Sequence, residues 1–456
     1  MASTCHDVRV PAYPARISPT RRHLIDRGGA PLLVHGEAAW SLITALIREE
    51  ADLYLADRAG KGLNSIIVNL IEHKFNGPLN RYGESPFAAS GDFSAPNEAY
   101  FAHAGWVIRR AGELGIQVFL APAYLGYAGT DEGWIAEVLA SGVEGCRRWG
   151  RYVGRRLGGL DNIIWMIGAD REPGEALDHM DALVAGIREC GGRHLFTAGT
   201  APERSPAIDF QRGGWLDLNL TYTYGIVHRK LLADYNRQPV MPFLLFESTY
   251  EGEHNASPVQ VRRQAYWAIL CGGCGQFMGN LPLWGFYPQG SPMPGTFFCD
   301  NEGRDRSSFT SGWRAALDSQ GSRDMVHLKA LFASRPWFHL VPDQAHEVVT
   351  AGLGEFTGLD YLAAARTTDG GTVIAYMPTA RTITVDLARV CGRAACAWWF
   401  DPCTGKAQPA GEFPTRGTRE FSPPAEGDWA LVVDDAGRSL PVPGSQAQPI
   451  WEEGAE

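Results

Sequence analysis

A chain of 456 residues, 45% hydrophobic and 20% charged, is globular, too long for one ordinary small domain and suited to a large barrel with a small appendage. Its 51 acidic against 41 basic residues give a net charge of −10 with no long basic run, which argues against nucleic acid and for a neutral, polar ligand. No uninterrupted apolar stretch of about 18 residues occurs, so no membrane partner is expected, and the polar, proline-dotted start from Met1 to Ala15 carries no secretory pattern, so the chain as given reads as cytoplasmic.

Residues 1–17 read as an N-terminal extension, and Arg22–Pro31 as a hairpin turning at Asp26 to Gly29 that plugs the bottom of a barrel. From residue 30 to 285 strand-like runs alternate with helical patterns, the rhythm of parallel strands joined by helical crossovers. Strand cores are predicted at Pro31–His35, Ser65–Ile71, Gln117–Ala121, Asn162–Ile167, His194–Ala198, Leu216–Tyr222, Phe243–Phe246 and Gly275–Gly279, the last of them Gly-rich. Between them Leu42–Ala59, Asn97–Leu114, Trp134–Leu157, Glu175–Cys190 and Pro258–Leu270 have helical spacing. Eight strands close a (β/α)8 barrel, assigned to 18–340; an open doubly wound sheet would need a Gly-rich phosphate turn after its first strand, which is missing.

The Gly/Pro-rich stretch Pro288 to Gly303 reads as a long loop near the barrel mouth, Ser311–Ala333 as a further helix, and Arg335–Pro342 as a linker. Beyond it the period falls to two, with short strands at Tyr361–Arg366, Thr372–Met377, Thr382–Leu387, Cys396–Phe400 and Trp429–Val433. This is a small all-β sandwich, 341–436, followed by a tail, 437–456, with Trp451 its one anchor.

Nine cysteines without a framework spacing agree with a reducing compartment. Cys271-Gly-Gly-Cys274 has redox or metal spacing, but no second pair or nearby His completes a zinc site, so packing is the reading. His35, Glu37 and His254 are too sparse for a metallohydrolase; no metal and no cofactor is expected.

Two apolar runs end in a carboxylate where a buried strand should end: Asn162-Ile-Ile-Trp-Met-Ile-Gly-Ala-Asp170 and Pro242-Phe-Leu-Leu-Phe-Glu247. A buried charge is costly unless paired or used, and chemistry on such barrels collects at the carboxyl ends of the strands. On the fourth and seventh strands Asp170 and Glu247 would face each other across the mouth as a glycosidase pair, with Glu172 and Glu251 the rival acids. Trp40, Tyr124, Tyr127, Tyr222, Tyr224, Tyr250, Trp284 and Tyr287 fall at or beyond strand ends, where rings can stack on a sugar. His35, Glu37 and Asn69 end the first two strands and are candidates for binding its hydroxyl groups.

The runs Gly36-Glu-Ala-Ala-Trp40, Tyr54-Leu-Ala-Asp-Arg-Ala-Gly-Lys-Gly-Leu-Asn64, Tyr100-Phe-Ala-His103, Ile164-Trp-Met-Ile-Gly-Ala-Asp170, Phe246-Glu247 and Ala265-Tyr-Trp267 resemble the apiosidase-like glycoside hydrolase family of TIM barrels. Trp398–Gly405 and Pro423–Trp429 resemble the collagen-binding-type sandwich that follows such barrels. The resemblance implies a retaining mechanism with Asp170 as acid/base and Glu247 as nucleophile. The chain departs from the family's usual Gly-Asp-Thr at Gly36-Glu-Ala38, from Gly-Gly-Asp at Gly168-Ala-Asp170, and from an Asp at Gly105, positions that the resemblance places at the sugar site or its support.

The resulting expectation is an exo-acting, retaining glycoside hydrolase with a carbohydrate substrate. The alternative is an inactive carbohydrate-binding protein on the same scaffold, motivated by the departures at Glu37 and Ala169. The short linker Pro336–Pro342 predicts a rigidly docked, structural sandwich. Nothing in the chain speaks to oligomeric state.

Overall fold

The computed structural model describes residues 11–89, 91–293 and 308–445. Cys5, Cys299, Trp451, and the part of the 288–303 loop from residue 294 onward lie outside the described residues.

Eight parallel strands form the barrel: β1 (Val34–Ala38), β2 (Ser65–Asn69), β3 (Gln117–Ala121), β4 (Ile163–Gly168), β5 (Phe196–Gly199), β6 (Asn219–Tyr222), β7 (Phe243–Glu247) and β8 (Gly275–Met278). Their order is β5-β4-β3-β2-β1-β8-β7-β6. A parallel bridge between Thr197 and Leu218 joins the two ends, and the Thr197 hydroxyl donates to the Leu218 carbonyl at 2.7 Å. Every residue of these strands is buried, which is why they read as continuous apolar runs rather than alternating ones. The Gly-rich eighth strand is real: a Cβ on Gly275 would lie 2.0 Å from the Val34 carbonyl oxygen, so a larger residue could not pair there with β1.

Alternation along the strands decides which side chains face the barrel axis. Ile67, Phe119, Ile164 and Met166 share one core with Ala38, while Ile66, Val68, Val118, Trp165 and Ile167 belong to a second core under the helices.

The hairpin is present, with Leu24 opposite Leu32 and Ile25 opposite Pro31, as part of a three-stranded ribbon. It sits at the amino ends of the strands, where the Tyr13 hydroxyl donates to the Gly115 carbonyl just before β3 at 2.8 Å. Three helical expectations need correction. Leu42–Ala59 is two helices, Leu42–Ala45 and Arg48–Gly60. Ser311–Ala333 is also two, Trp313–Ala316 and Gln320–Ala333, because Ser319 caps the second by accepting the Ser322 N–H at 3.2 Å. Between β6 and β7 lies a nine-residue helix, Val227–Tyr235, too short for its pattern to stand out.

The C-terminal region is two antiparallel sheets. The larger joins β9 (Leu340–Pro342), β11 (Ala363–Thr367), β12 (Thr372–Met377), β14 (Ala394–Phe400), β15 (Ala407–Pro414) and β17 (Trp429–Asp435) in the order β9-β11-β12-β17-β14-β15. The smaller joins β10 (Val349–Ala351), β13 (Ile383–Asp386) and β16 (Thr418–Phe421). Sequence reasoning passed over β15 because it carries Pro409 and Pro414, residues a strand tolerates at a sheet edge, and β15 is the edge.

The larger sheet is covered on both faces. Val373, Ala375 and Met377 pack with the smaller sheet, whereas Ile374 and Tyr376 belong to the barrel's core. Tyr376 stacks on Tyr266 of the helix Pro258–Leu270, with ring centroids 4.4 Å apart. Beside this stack the buried Arg262 donates to Asp324 of the helix Gln320–Ala333 at 2.5 Å and to both oxygens of Asp428, just before β17, at 2.7 and 2.9 Å. Among the described residues no helix is long and apolar enough to cross a membrane.

Candidate active site

A cavity of about 810 Å³ opens at the carboxyl ends of the barrel strands, within the size range of small-molecule sites. Ten of the thirteen anticipated residues line it, among them Asp170 after β4, Glu247 at the end of β7, Asn69 at the end of β2, Trp40 after β1, Tyr124 after β3, Tyr222 and Tyr224 at and after β6, and Trp284 after β8. Tyr127 and Tyr250 are the other two.

His35 and Glu37 do not line it. Both sit at the β1 positions whose side chains turn outward to the helical layer, while Gly36 and Ala38 face the axis. His35 is fully buried beside Gln276, whose amide nitrogen is 3.1 Å from Nδ1, and burial pushes its imidazole down to about 3. Glu37 accepts from Arg58 at 3.1 Å and from the Tyr54 hydroxyl at 2.9 Å, a closed buried pair. Gly105 is likewise remote, in the helix Glu98–Glu113 against Arg156 and Leu157. The rival acids are engaged elsewhere: Glu172 faces Arg204 at 3.5 Å, and Glu251 accepts from Asn280, Ser319 and the Gly321 N–H. Tyr287 stacks on Phe309 and stays off the lining.

Asp170 is delivered by an unusual backbone. Gly168, Ala169 and Asp170 have φ of 81°, 99° and 61°, three consecutive residues in the region where only glycine is unstrained. The chain thus doubles back at the end of β4 and sets the carboxyl into the cleft. Ala169→Gly is expected to stabilise the fold by about 1 kcal/mol, since the strain released outweighs the added freedom of the unfolded chain; an unchanged or lower urea midpoint contradicts this.

The two carboxyls feel each other. Burial pushes Asp170 up to about 6, helped by the negative charge of Glu132. Burial also raises Glu247 well above the usual carboxylate range, and repulsion from Asp170 and Glu253 adds to it. The cleft therefore resists holding both as anions. The Tyr124 hydroxyl contacts Asp170 Oδ2 at 2.6 Å and Tyr224 donates to Glu247 Oε1 at 3.2 Å. Asp170 Oδ1 and Glu247 Oε2 are buried without a protein partner.

Behind the carboxyls stands a continuous aromatic wall. Trp40 packs edge-on against Phe246 and beside Tyr124, and Phe75 packs edge-on against Trp284. Sequence reasoning missed Phe75, Glu132, Glu253 and His254 of the lining. They stand on loops several residues beyond the strands, where no periodicity marks them.

Cys271 and Cys274 are buried free thiols, with burial pushing Cys274 up to about 12, so the packing reading stands.

The family description "Apiosidase-like, catalytic domain" matches residues 18–339. The chain belongs to the apiosidase-like glycoside hydrolase family. Residues 341–434 of this glycoside hydrolase match the description "Putative collagen-binding domain of a collagenase". A crystal structure of a family 5 glycoside hydrolase from Bacteroides vulgatus is 25% identical and superposes with a TM-score of 0.80 over 96% of each chain. A second glycoside hydrolase, also 25% identical with a TM-score of 0.80, covers 93% of this chain and 97% of its own. A family 5 mannosidase from Rhizomucor miehei, 13% identical over 69% of this chain and 96% of its own at a TM-score of 0.50, shares the barrel fold. Among curated proteins no relative matches. The fold of the whole chain, barrel and sandwich together, thus recurs in solved glycoside hydrolases.

Proposed function

We propose that this glycoside hydrolase removes a terminal sugar with retention, Glu247 attacking the anomeric carbon and Asp170 protonating the leaving oxygen and then activating water. The observation that carries the reading is the meeting, in one aromatic-backed cleft, of two electrostatically linked carboxyls from different strands, each with one buried oxygen left without a protein partner. Asn69, Trp40, Tyr222, Tyr224 and Trp284 then serve as the sugar-binding surface, with the aromatic wall supporting exo action. Proton NMR during the first turnovers tests the stereochemistry: a product of the same anomeric configuration as the substrate supports double displacement, and the opposite anomer overturns it.

The pH profile follows from the same geometry. Asp170 must carry its proton to act as acid, so kcat/KM of the free enzyme falls as pH rises through about 6. Glu247 must lose its proton, and its upward shift brings the acid limb toward the alkaline one. A narrow bell on the acidic side of neutrality is the expected result, its limbs belonging to the pair; a flat profile up to pH 9, say about three units beyond the Asp170 value, contradicts it.

A further inference from the structure

The Tyr124 hydroxyl lies between two carboxyls, 2.6 Å from Asp170 Oδ2 and 2.9 Å from Glu132 Oε1. A phenol carries one proton and donates once. The second contact is therefore made by a carboxylic acid donating to the phenol oxygen, because two facing lone pairs in a buried site are costly. Glu132 Oε1 also accepts the Tyr127 N–H at 2.9 Å, and an amide nitrogen only donates. This marks Glu132 as the acceptor and Asp170 as the group holding the extra proton. At Glu247, by contrast, the Tyr224 hydroxyl donates with no second acceptor contending for it at comparable distance.

The loop is built to hold this arrangement. Tyr124 and Glu132 sit at the two ends of a turn whose neck is closed by Gly126 and Gly133, where a Cβ on Gly133 would lie 2.2 Å from the Gly126 nitrogen. The Trp134 N–H donates to the Tyr124 carbonyl at 2.8 Å across the same neck.

We propose that Glu132, acting through the Tyr124 hydroxyl, keeps the proton on Asp170 and so makes Asp170 the acid of the pair; this rests on the assignment of Asp170 and Glu247 above. In the first step Asp170 gives its proton to the leaving oxygen, which takes the electron pair of the breaking C–O bond while Glu247 forms the new bond to the anomeric carbon. Tyr124 then turns its hydroxyl proton from Glu132 to the new Asp170 carboxylate, leaving Glu132 the Tyr127 amide. In the second step Asp170 takes a proton from the attacking water, the C–O bond to Glu247 breaks with its electron pair returning to the carboxylate, and Tyr124 turns back. Glu132 is thus a positioning residue, with no contact to the reacting atoms required.

The titratable groups around Asp170 are Tyr124 and Glu132 from the loop after β3, Tyr222 and Tyr224 from β6 and its end, and Glu247, Tyr250 and Glu253 from β7 and the loop after it. At the rim Lys74 pairs with Asp131, and Arg204 with Asp209 and Glu172.

Glu132→Gln tests the inference. Its side-chain oxygen, held toward the Tyr127 N–H, is a neutral and weaker acceptor for the phenol proton, and its charge is gone; both changes ease ionisation of Asp170. Infrared titration with isotope-labelled aspartate, the Asp170 band assigned by its loss in Asp170→Asn, should show that band titrating about one pH unit or more lower in Glu132→Gln than in wild type. The alkaline limb of kcat/KM should move down equally, and in a Tyr124→Phe background the substitution should shift it less. An Asp170 band that titrates identically in wild type and Glu132→Gln overturns the inference, and it is read without any substrate. Full turnover in Asp170→Asn and Glu247→Ala would instead overturn the assignment of the pair, leaving the infrared comparison to decide on Glu132.

Discussion

Glu247→Ala is expected to lower kcat by about four to six orders of magnitude while leaving the fold and sugar binding in place, because removal of the proposed nucleophile ends the covalent route and leaves only what binding and the remaining site supply. Added azide should restore turnover in this variant, occupying the space that the carboxylate vacates and giving a glycosyl azide of inverted configuration. The fall for Asp170→Asn should be about two to four orders of magnitude, smaller for aryl glycosides whose leaving group needs no proton. A panel of aryl pentosides, hexosides, deoxyglycosides and apiosides, read by released phenol, identifies the sugar on the way. Wild-type rates in Glu247→Ala on any member of that panel would sink the assignment of the nucleophile.

The second large effect is on stability. Arg262→Met should destabilise the whole chain by about 3–5 kcal/mol, the cost of removing one partner from a buried ion pair. It leaves Asp324 on the barrel side with only the Gln320 amide, which donates to it at 2.6 Å, and Asp428 on the sandwich side with only the Tyr376 hydroxyl, which donates to it at 2.8 Å. Barrel and sandwich share a core through Tyr266 and Tyr376, so urea unfolding of the wild type should show one transition, and that of the variant one transition at lower urea. Two separate transitions, with the barrel's midpoint untouched by the substitution, would show that the two parts are stabilised independently.

Much of this molecule was legible in its sequence because parallel strands are buried on both faces and so appear as unbroken apolar runs. The runs ending at Asp170 and Glu247 stood out for that reason: a charge closes each of them. The same property hid the orientation of β1. With both faces buried, nothing in Val34–Ala38 says which side chains face the axis, and His35 and Glu37, expected at the sugar, belong to the helical layer. Glu132 was invisible for another reason. Its position depends on a loop closed by Gly126 and Gly133 touching back to back, a contact within one loop that has no periodic pattern. In the sandwich, β12 has the short alternation of a half-exposed strand, yet all six of its residues are buried, since the barrel covers the face that the smaller sheet leaves free.

That doubly covered sheet bears on how the two halves of the chain can have changed over time. An appendage tethered by a linker can be lost, duplicated or exchanged between genes without harm to its neighbour. Here, deleting residues 341–436 would bare Tyr266 and Trp267 on the helix Pro258–Leu270 and leave Arg262 without Asp428, so a shortened descendant would inherit an insoluble wall on its barrel. The sandwich is bound to be inherited with the barrel, as part of the barrel's own wall.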